Sequence, residues 1–488
     1  MRHLMWFRSD LRVRDNPALY QAAIDADRVT ALYIDCPGQW RRHHSAEIQR
    51  DLVRRCVDSL AKGLATLGVP LRVITVATFA EVPASVHDLV QKLDIDAVFC
   101  NSEIGINEAR RDQAVAARLD IPLHAFNGDC VIEPGALQTA NGEMFKVFTP
   151  FSRAWLSMLE TRGWTLYPSP AAQAPAFAPQ DLNWHQGTCE KQGKAKSAAW
   201  PAGERAALAR LREFCAHDLA DYEKNRDLPA LSATSSLSPY LAIGVLSPRQ
   251  CLSVMEEKLG FVPLSRGEIG FAWLNELIWR EFYRHLMVAH PRLTMHRAFK
   301  PETEALRWRR DENDFQCWCR GETGFPIVDA AMRCLNETGW MHNRLRMICA
   351  SFLCKDLHID WRWGECYFMS RLIDGDLAAN NGGWQWSAST GADAAPYFRM
   401  FNPTRQSEKF DPDGKFLRRW LPEISDVPAA HIHQPRTWLD QHQPDNPYPA
   451  PIVDHGKARE CTLQLFRQLS ETCAVNDRAG QKQTVLPL

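Results

Sequence analysis

Asp374-Gly375-Asp376-Leu377-Ala378-Ala379-Asn380-Asn381-Gly382-Gly383-Trp384-Gln385-Trp386 is the stretch from which the rest of the chain is best read. Two acids two positions apart precede an Asn pair, a double glycine and two indoles around a glutamine. No regular helix or strand is expected of this composition. Gly382 and Gly383 allow close backbone approach or dihedrals that other residues resist. Trp384 and Trp386 supply large aromatic surface with one polar handle each. A tight loop plugged by core tryptophans would explain a lone Trp-x-Trp. The density of acids, amides and glycines around it suits instead the lining of a pocket for a flat heteroaromatic ligand.

The 488 residues allow two or three domains with large cores. Lys and Arg number 57 against 58 Asp and Glu, a formal net charge of −1. Any nucleic-acid binding must therefore come from a local basic patch and not from the field of the whole molecule. Tryptophan is the outlier: 17 is high for this length, and the residues crowd toward the C-terminal half. The 15 cysteines are scattered singly, Cys317 and Cys319 being nearest, and no CxxC occurs. Nothing at the start resembles a signal peptide. Reduced thiols in the cytoplasm, with no metal site, are expected. No apolar run is long enough to span a bilayer.

Outward from the opening stretch, the first third alternates short apolar runs with helical patterns. His3–Phe7, Val29–Ile34, Leu71–Thr75 and Ala97–Asn101 read as strands. Residues 47–67, 79–93 and 108–119 read as helices. Such alternation predicts a parallel, doubly wound α/β sheet. Neither GxGxxG nor GxxxxGK[ST] is present, and a ligand would sit at the carboxyl ends of the strands. Asn107-Glu108 lies in such a place, although on the residues alone a capping Asn and a first-turn Glu are the simpler explanation of the pair. Residues 168–200, with Pro168, Pro170, Pro175, Pro179 and Gly187, read as a linker. Beyond Pro201 the periodicity is helical. The expected order is an α/β domain (1–130), an interdomain linker (131–200), a large helical domain (201–475) and a C-terminal tail (476–488).

Within the helical part, Thr234-Ser235-Ser236-Leu237-Ser238-Pro239 follows a helix containing Tyr222, and Ser238-Pro239 reads as an N-cap and first helical residue. Hydroxyls and free N–H groups at a helix start suit a phosphate. Trp273, Glu276, Arg280 and Tyr283 share one helix face, with Leu274, Leu277, Ile278 and His285 on the other. Glu276 and Arg280 could be an ordinary surface ion pair. Among tryptophans, however, a desolvated Glu276 would have a raised pKa and could donate a hydrogen bond. Asn343 and Met347, four apart, share a face of the next helix.

The quoted stretch resembles the flavin-binding signature of the photolyase/cryptochrome family, specifically that of class I cyclobutane pyrimidine dimer photolyases. The resemblance runs from Trp6-Phe7-Arg8-Ser9-Asp10-Leu11-Arg12 to Phe410-Asp411-Pro412. It implies a light-driven DNA repair lyase in which excited reduced FAD donates an electron to a flipped-out dimer. It further implies that Tyr222, Thr234, Ser235, Ser236, Leu237, Ser238, Trp273, Arg346, Asp374, Gly375, Asp376 and Asn380 hold FAD. By the same resemblance Glu276, Asn343, Met347 and Asn380 serve catalysis, and Trp308, Trp361 and Trp384 carry electrons to the flavin. Arg226, Glu276, Trp279, Arg280, Tyr283, Asn343, Arg344, Trp386 and Gln406 are the candidates for contacts to damaged DNA. His43, Asn107 and Glu108 align with the site of an optional 5,10-methenyltetrahydrofolate antenna. Thr294-Met295 stands where a relative carries Cys-Lys against the folate, which leaves the antenna's identity open. A (6-4) photolyase would need histidines at 343 and 347. A cryptochrome photoreceptor would carry Asp or Cys in place of Asn380. A monomer is expected.

Overall fold

The computed structural model describes residues 1–174 and 196–483, with side chains through Glu471. Pro175, Pro179, Gly187 and residues 484–488 lie outside the described residues. Five strands, β1 (Arg2–Phe7), β2 (Arg28–Asp35), β3 (Leu71–Thr75), β4 (Ala97–Asn101) and β5 (Leu123–Phe126), form one sheet of order β3-β2-β1-β4-β5. All pairings are parallel. The strands are near-continuous apolar runs because helices cover both faces of a parallel sheet. Leu4, Trp6, Leu32, Val98 and Val115 pack with Val86 and Val90 from the helix Val82–Leu93 into one core cluster.

Contacts divide the chain into two compact units, each discontinuous in sequence. One comprises Met1–Lys224, Ala233–Thr294 and Met369–Ala378, and the other Asn225–Ser232, Met295–Phe368 and Ala379–Leu488. The first contains the sheet, the helix Phe148–Arg162, which falls within the segment read as linker, and the 19-residue helix Phe271–Ala289. Leu274, Leu277, Ile278 and His285 are its buried stripe, as the spacing requires. The second unit is helical. Its last helix, His455–Gln483, continues into the segment 476–488 that was read as a tail.

The opening stretch departs from expectation. Residues Leu377–Ser387 form a helix through both glycines, neither of which has a positive φ. Asn and Gly are poor helix formers, so tertiary bonds must hold it. They do: Asn381 Nδ2 donates to Glu365 Oε1 at 2.7 Å, while Gln385 Nε2 donates one turn back within the helix to Asn381 Oδ1 at 2.8 Å. The backbone N–H of Phe299 donates to Gln385 Oε1 at 2.7 Å.

Candidate functional site

The candidate residues are distributed over both units, and each set is coherent within its own. In the first unit, Trp273 and Tyr222 both pack on Phe214, with ring centroids 5.1 and 5.7 Å away. Arg210 donates to the carbonyls of Ser235 (3.0 Å) and Thr234 (3.2 Å), fixing the turn that follows. Ser236 takes a left-handed φ of 52° there, a conformation uncommon outside glycine. Ser238 is not the cap. Leu237 occupies that position, and no side chain caps the short helix Ser238–Ala242. Leu237 is buried, so packing sets the helix start one residue before the capping chemistry would. The hydroxyls of Thr234, Ser235 and Ser236 are left on half-buried residues and that of Ser238 on an exposed one.

Asp374 is buried, and the turn it opens is held by two long-range bonds. Gln49 Nε2 donates to the Gly375 carbonyl at 2.6 Å. Arg284 Nη2 donates to Asp376 Oδ2 at 2.6 Å. Along the same helix Glu276, Trp279, Arg280 and Tyr283 are half-buried. The Trp279 indole stacks on Phe148 at 3.6 Å and 5° and lies 5.7 Å from the Tyr283 ring. Arg280, expected to face a phosphate, donates to Asp129 O (2.7 Å) and Leu241 O (3.1 Å) and pairs with the Asp129 carboxylate. Glu281, which the sequence did not single out, is fully buried. It accepts from Trp155 Nε1 at 2.7 Å and from the N–H groups of Val131 and Ile132. Burial pushes its pKa up against those donors.

At the carboxyl ends of β1 and β4 an ion-pair cluster fills the sheet's switch point. Arg8 meets Asp112 at 2.8 Å, and Arg111 meets Glu103 at 2.8 Å. Burial would raise Glu103, but Arg111 and Arg8 outweigh it and hold it at about 2. Beside this cluster the antenna candidates do come together. His43 Nε2 lies 2.8 Å from Gln39 Nε2 and 3.2 Å from Asn107 Nδ2, and His43 Nδ1 lies 3.7 Å from Glu108. Burial, with repulsion from Glu103, pushes Glu108 up to about 7. Asn107 does not cap its helix; Gly105 takes that position. Met295 is exposed.

In the second unit, Asn343 is exposed at the start of the helix Asn343–Ser351, and its Nδ2 lies 3.9 Å from Met347 Sδ. Arg344 pairs with Asp227 at 2.8 Å and sits 4.5 Å over the Phe410 ring. Arg226 is half-buried, and Arg346 donates Nε to Met341 O at 2.7 Å. The neighbouring His342 accepts from the Arg344 N–H as helix cap. Burial lowers its pKa to about 4, so it is neutral at physiological pH. Asn380 Nδ2 donates to the Glu365 carbonyl at 3.0 Å, which fixes the amide's orientation. Glu365, buried, also holds His296 at 2.7 Å, and that hydrogen bond raises the His296 pKa. Neither residue was legible beforehand.

Of the three tryptophans expected to carry electrons, Trp384 and Trp361 are buried and Trp308 is half-buried. Trp384 packs against Phe368 at 4.9 Å and Trp318 at 6.0 Å, and its indole N–H has no hydrogen-bond partner among the described residues. A Cβ on Gly364 would lie 2.0 Å from the Trp384 ring, so glycine there is what lets the indole in. Trp386 is half-buried 6.4 Å from Phe401, and Gln406 is half-buried on the helix Pro403–Phe410. Among the described residues no group of His, Cys, Asp or Glu could hold a metal.

Comparison with known proteins places this arrangement. Residues 3–176 match the family described as DNA photolyase, and residues 273–468 match the FAD binding domain of DNA photolyase. The chain is 50% identical over 473 residues to a deoxyribodipyrimidine photo-lyase of Vibrio cholerae, covering 95% of this chain and 99% of that protein. It is 47% identical over 471 residues to the protein of that name from Escherichia coli K12, with 95% and 98% covered. A crystal structure of a bacterial class III photolyase from Agrobacterium tumefaciens aligns with a TM-score of 0.82 at 35% identity, covering 96% of this chain and 98% of that one. The parallel sheet, the helical second part and these similarities agree: the chain belongs to the DNA photolyase family.

Proposed function

We propose that the protein is a deoxyribodipyrimidine photo-lyase that splits cyclobutane pyrimidine dimers in DNA under light, with FAD as its catalytic cofactor. The observation that carries the reading is the ordered 374–386 stretch, with Asp376 and Asn380 each fixed by hydrogen bonds to residues remote in sequence. The donor set fits a flavin nucleotide. Hydroxyls of the 234–238 turn would serve the diphosphate, Asp374 and Asp376 the sugar-like chain, and Asn380 the ring edge. Tyr222, Trp273 and Arg346 would complete the site. The unpartnered indole N–H of Trp384 supports a ligand close by.

Bound FAD supplies the photochemical electron that opens the cyclobutane ring and recovers it afterwards. The chain's own residues bind, orient and exclude water. Trp279 and Tyr283 offer aromatic surface to an extruded pyrimidine pair, which costs less to flip out than intact stacked bases. Glu276 can donate or accept a hydrogen bond at the pyrimidine edge, where charge develops. Asn343 and Met347 present an amide and a soft thioether, neither of which transfers a proton. Arg226 and Arg344 are the phosphate candidates, sequence-independent by nature. Trp308, Trp361 and Trp384 would carry electrons from solvent toward a bound flavin. A folate antenna belongs at His43, Asn107 and Glu108, whose clustering supports it.

The working unit is one chain acting in the cytoplasm on UV-damaged DNA. Free cysteines throughout the described residues support a reducing compartment. No helix among the described residues is long and apolar enough to cross a membrane. The test is illumination of the flavin-reduced protein with an oligonucleotide carrying one thymine dimer. Light-dependent loss of the dimer, followed by chromatography, is the expected result.

A further inference from the structure

Arg284 is the most deeply buried guanidinium of the helix Phe271–Ala289, with 3% of its side chain exposed, and it lies between two carboxylates. Nε donates to Asp129 Oδ2, while Nη2 and Nη1 reach Asp376 at 2.6 and 3.4 Å. Asp129 in turn receives Arg280, whose guanidinium also caps the Asp129 and Leu241 carbonyls. The four side chains alternate in sign, Arg280, Asp129, Arg284, Asp376, from the loop after β5 to the turn that opens the flavin stretch.

We propose that Asp129 and Arg284 are positioning residues of the flavin site, and that Arg280 serves this chain of charges and not a DNA phosphate. The inference rests on the reading of Asp376 as a flavin contact. Its physical basis is the planar guanidinium fork, which fixes direction as well as charge. With Nε committed to Asp129, the remaining arm presents to Asp376 in one orientation only. Asp376 is thereby held ready for its ligand, and a prepared contact binds more tightly than one that must be ordered on binding. Burial would raise the Asp129 pKa, but Arg280 and Arg284 outweigh it and hold Asp129 ionised far below the usual carboxylate range. Arg280, 11% exposed at its side chain, already makes three bonds and would have to surrender them to reach a phosphate.

The test is a double-mutant cycle on FAD dissociation from the holoprotein, followed by flavin fluorescence released on dilution. D376N should weaken FAD binding about tenfold, as loss of one charge-assisted bond does. D129N should weaken it severalfold, and D129N/D376N should be no weaker than D376N alone, because Asp129 acts only through Asp376. Additive effects in the double variant would overturn the proposal. So would wild-type affinity in D129N when D376N is impaired, a result that leaves the flavin reading of Asp376 intact. Wild-type affinity in D376N itself would overturn both. If D129N does not fold, R284K carries the test: it keeps the charge, loses the fork and should also release FAD faster, whereas wild-type release refutes the role. R280Q should leave the salt dependence of DNA binding unchanged, and a shallower slope would return Arg280 to the phosphate contacts.

Discussion

Gly364 offers a sharp test of the electron path, because its effect on stability and its effect on function should separate. It lies in the helix Trp361–Arg371, directly against the Trp384 indole. An alanine Cβ there would lie 2.0, 2.4 and 2.6 Å from three ring carbons. Carbon contacts settle at about 3.5–4.0 Å, so the indole must retreat by about 1.5 Å. Phe368 and Trp318 pack against other sides of the ring and resist that shift. Overpacking of this kind costs about 1–3 kcal/mol, while alanine in place of glycine in a helix returns about 1 kcal/mol. The net destabilisation is about 0–2 kcal/mol, which a large protein survives. Displacement of the innermost tryptophan is not so cushioned. Gly364→Ala should keep FAD and its fold yet photoreduce oxidised flavin several times more slowly with an external thiol donor, read from flavin absorbance under blue light. Photoreduction at the wild-type rate would show that the position of Trp384 does not govern the path.

Trp308→Phe should abolish photoreduction by external donors while leaving repair intact once the flavin is chemically reduced; equal photoreduction would point to another exit among the surface tryptophans. Arg344→Ala should weaken binding to dimer-containing DNA and lower the salt slope by about 1, measured by titration at several salt concentrations, and an unchanged slope would confine Arg344 to its bond with Asp227. Glu276→Ala should keep FAD and split dimers with a lower yield per absorbed photon at saturating DNA; the loss is partial, since one hydrogen bond to a charged group is worth about 1.5–3 kcal/mol, and a wild-type yield would remove Glu276 from the chemistry. For Glu108 the folded carboxyl titrates at about 7, above its value of about 4.3 in an unfolded chain. Its contribution is therefore complete below the unfolded value and lost as pH rises through 7; Glu108→Gln should flatten the fall in unfolding free energy over that window, and an unaltered denaturant series would contradict the burial.

The sheet was legible because each of its first four strands is an apolar run between turn residues, and Leu71–Thr75 and Ala97–Asn101 were read to the residue. β5 was not: Leu123–Phe126 is four residues long, half-exposed at the sheet edge, and carries little periodic signal. The helix through Asn380-Asn381-Gly382-Gly383 was illegible for a different reason. Its local propensity argues against helix, and the bonds that override it come from Glu365 and Phe299, far away in sequence. The charged supports of the site share this character. Arg284 reaches across 155 residues to Asp129 and 92 to Asp376, and no spacing rule records such a pairing. What the sequence did carry was the set of residues packed into one long motif; their partners had to be seen.

Asn343 and Met347 stand where (6-4) chemistry needs proton-donating histidines, so the protein is expected to repair cyclobutane dimers and not (6-4) products. The most direct measurement is parallel illumination of the flavin-reduced protein with two oligonucleotides, one carrying a thymine cyclobutane dimer and the other a (6-4) photoproduct, at equal absorbed photons. Restored thymines are expected from the first and an untouched second, with neither changing in the dark. Restoration of the (6-4) product, or no light-dependent loss of the cyclobutane dimer, would contradict it.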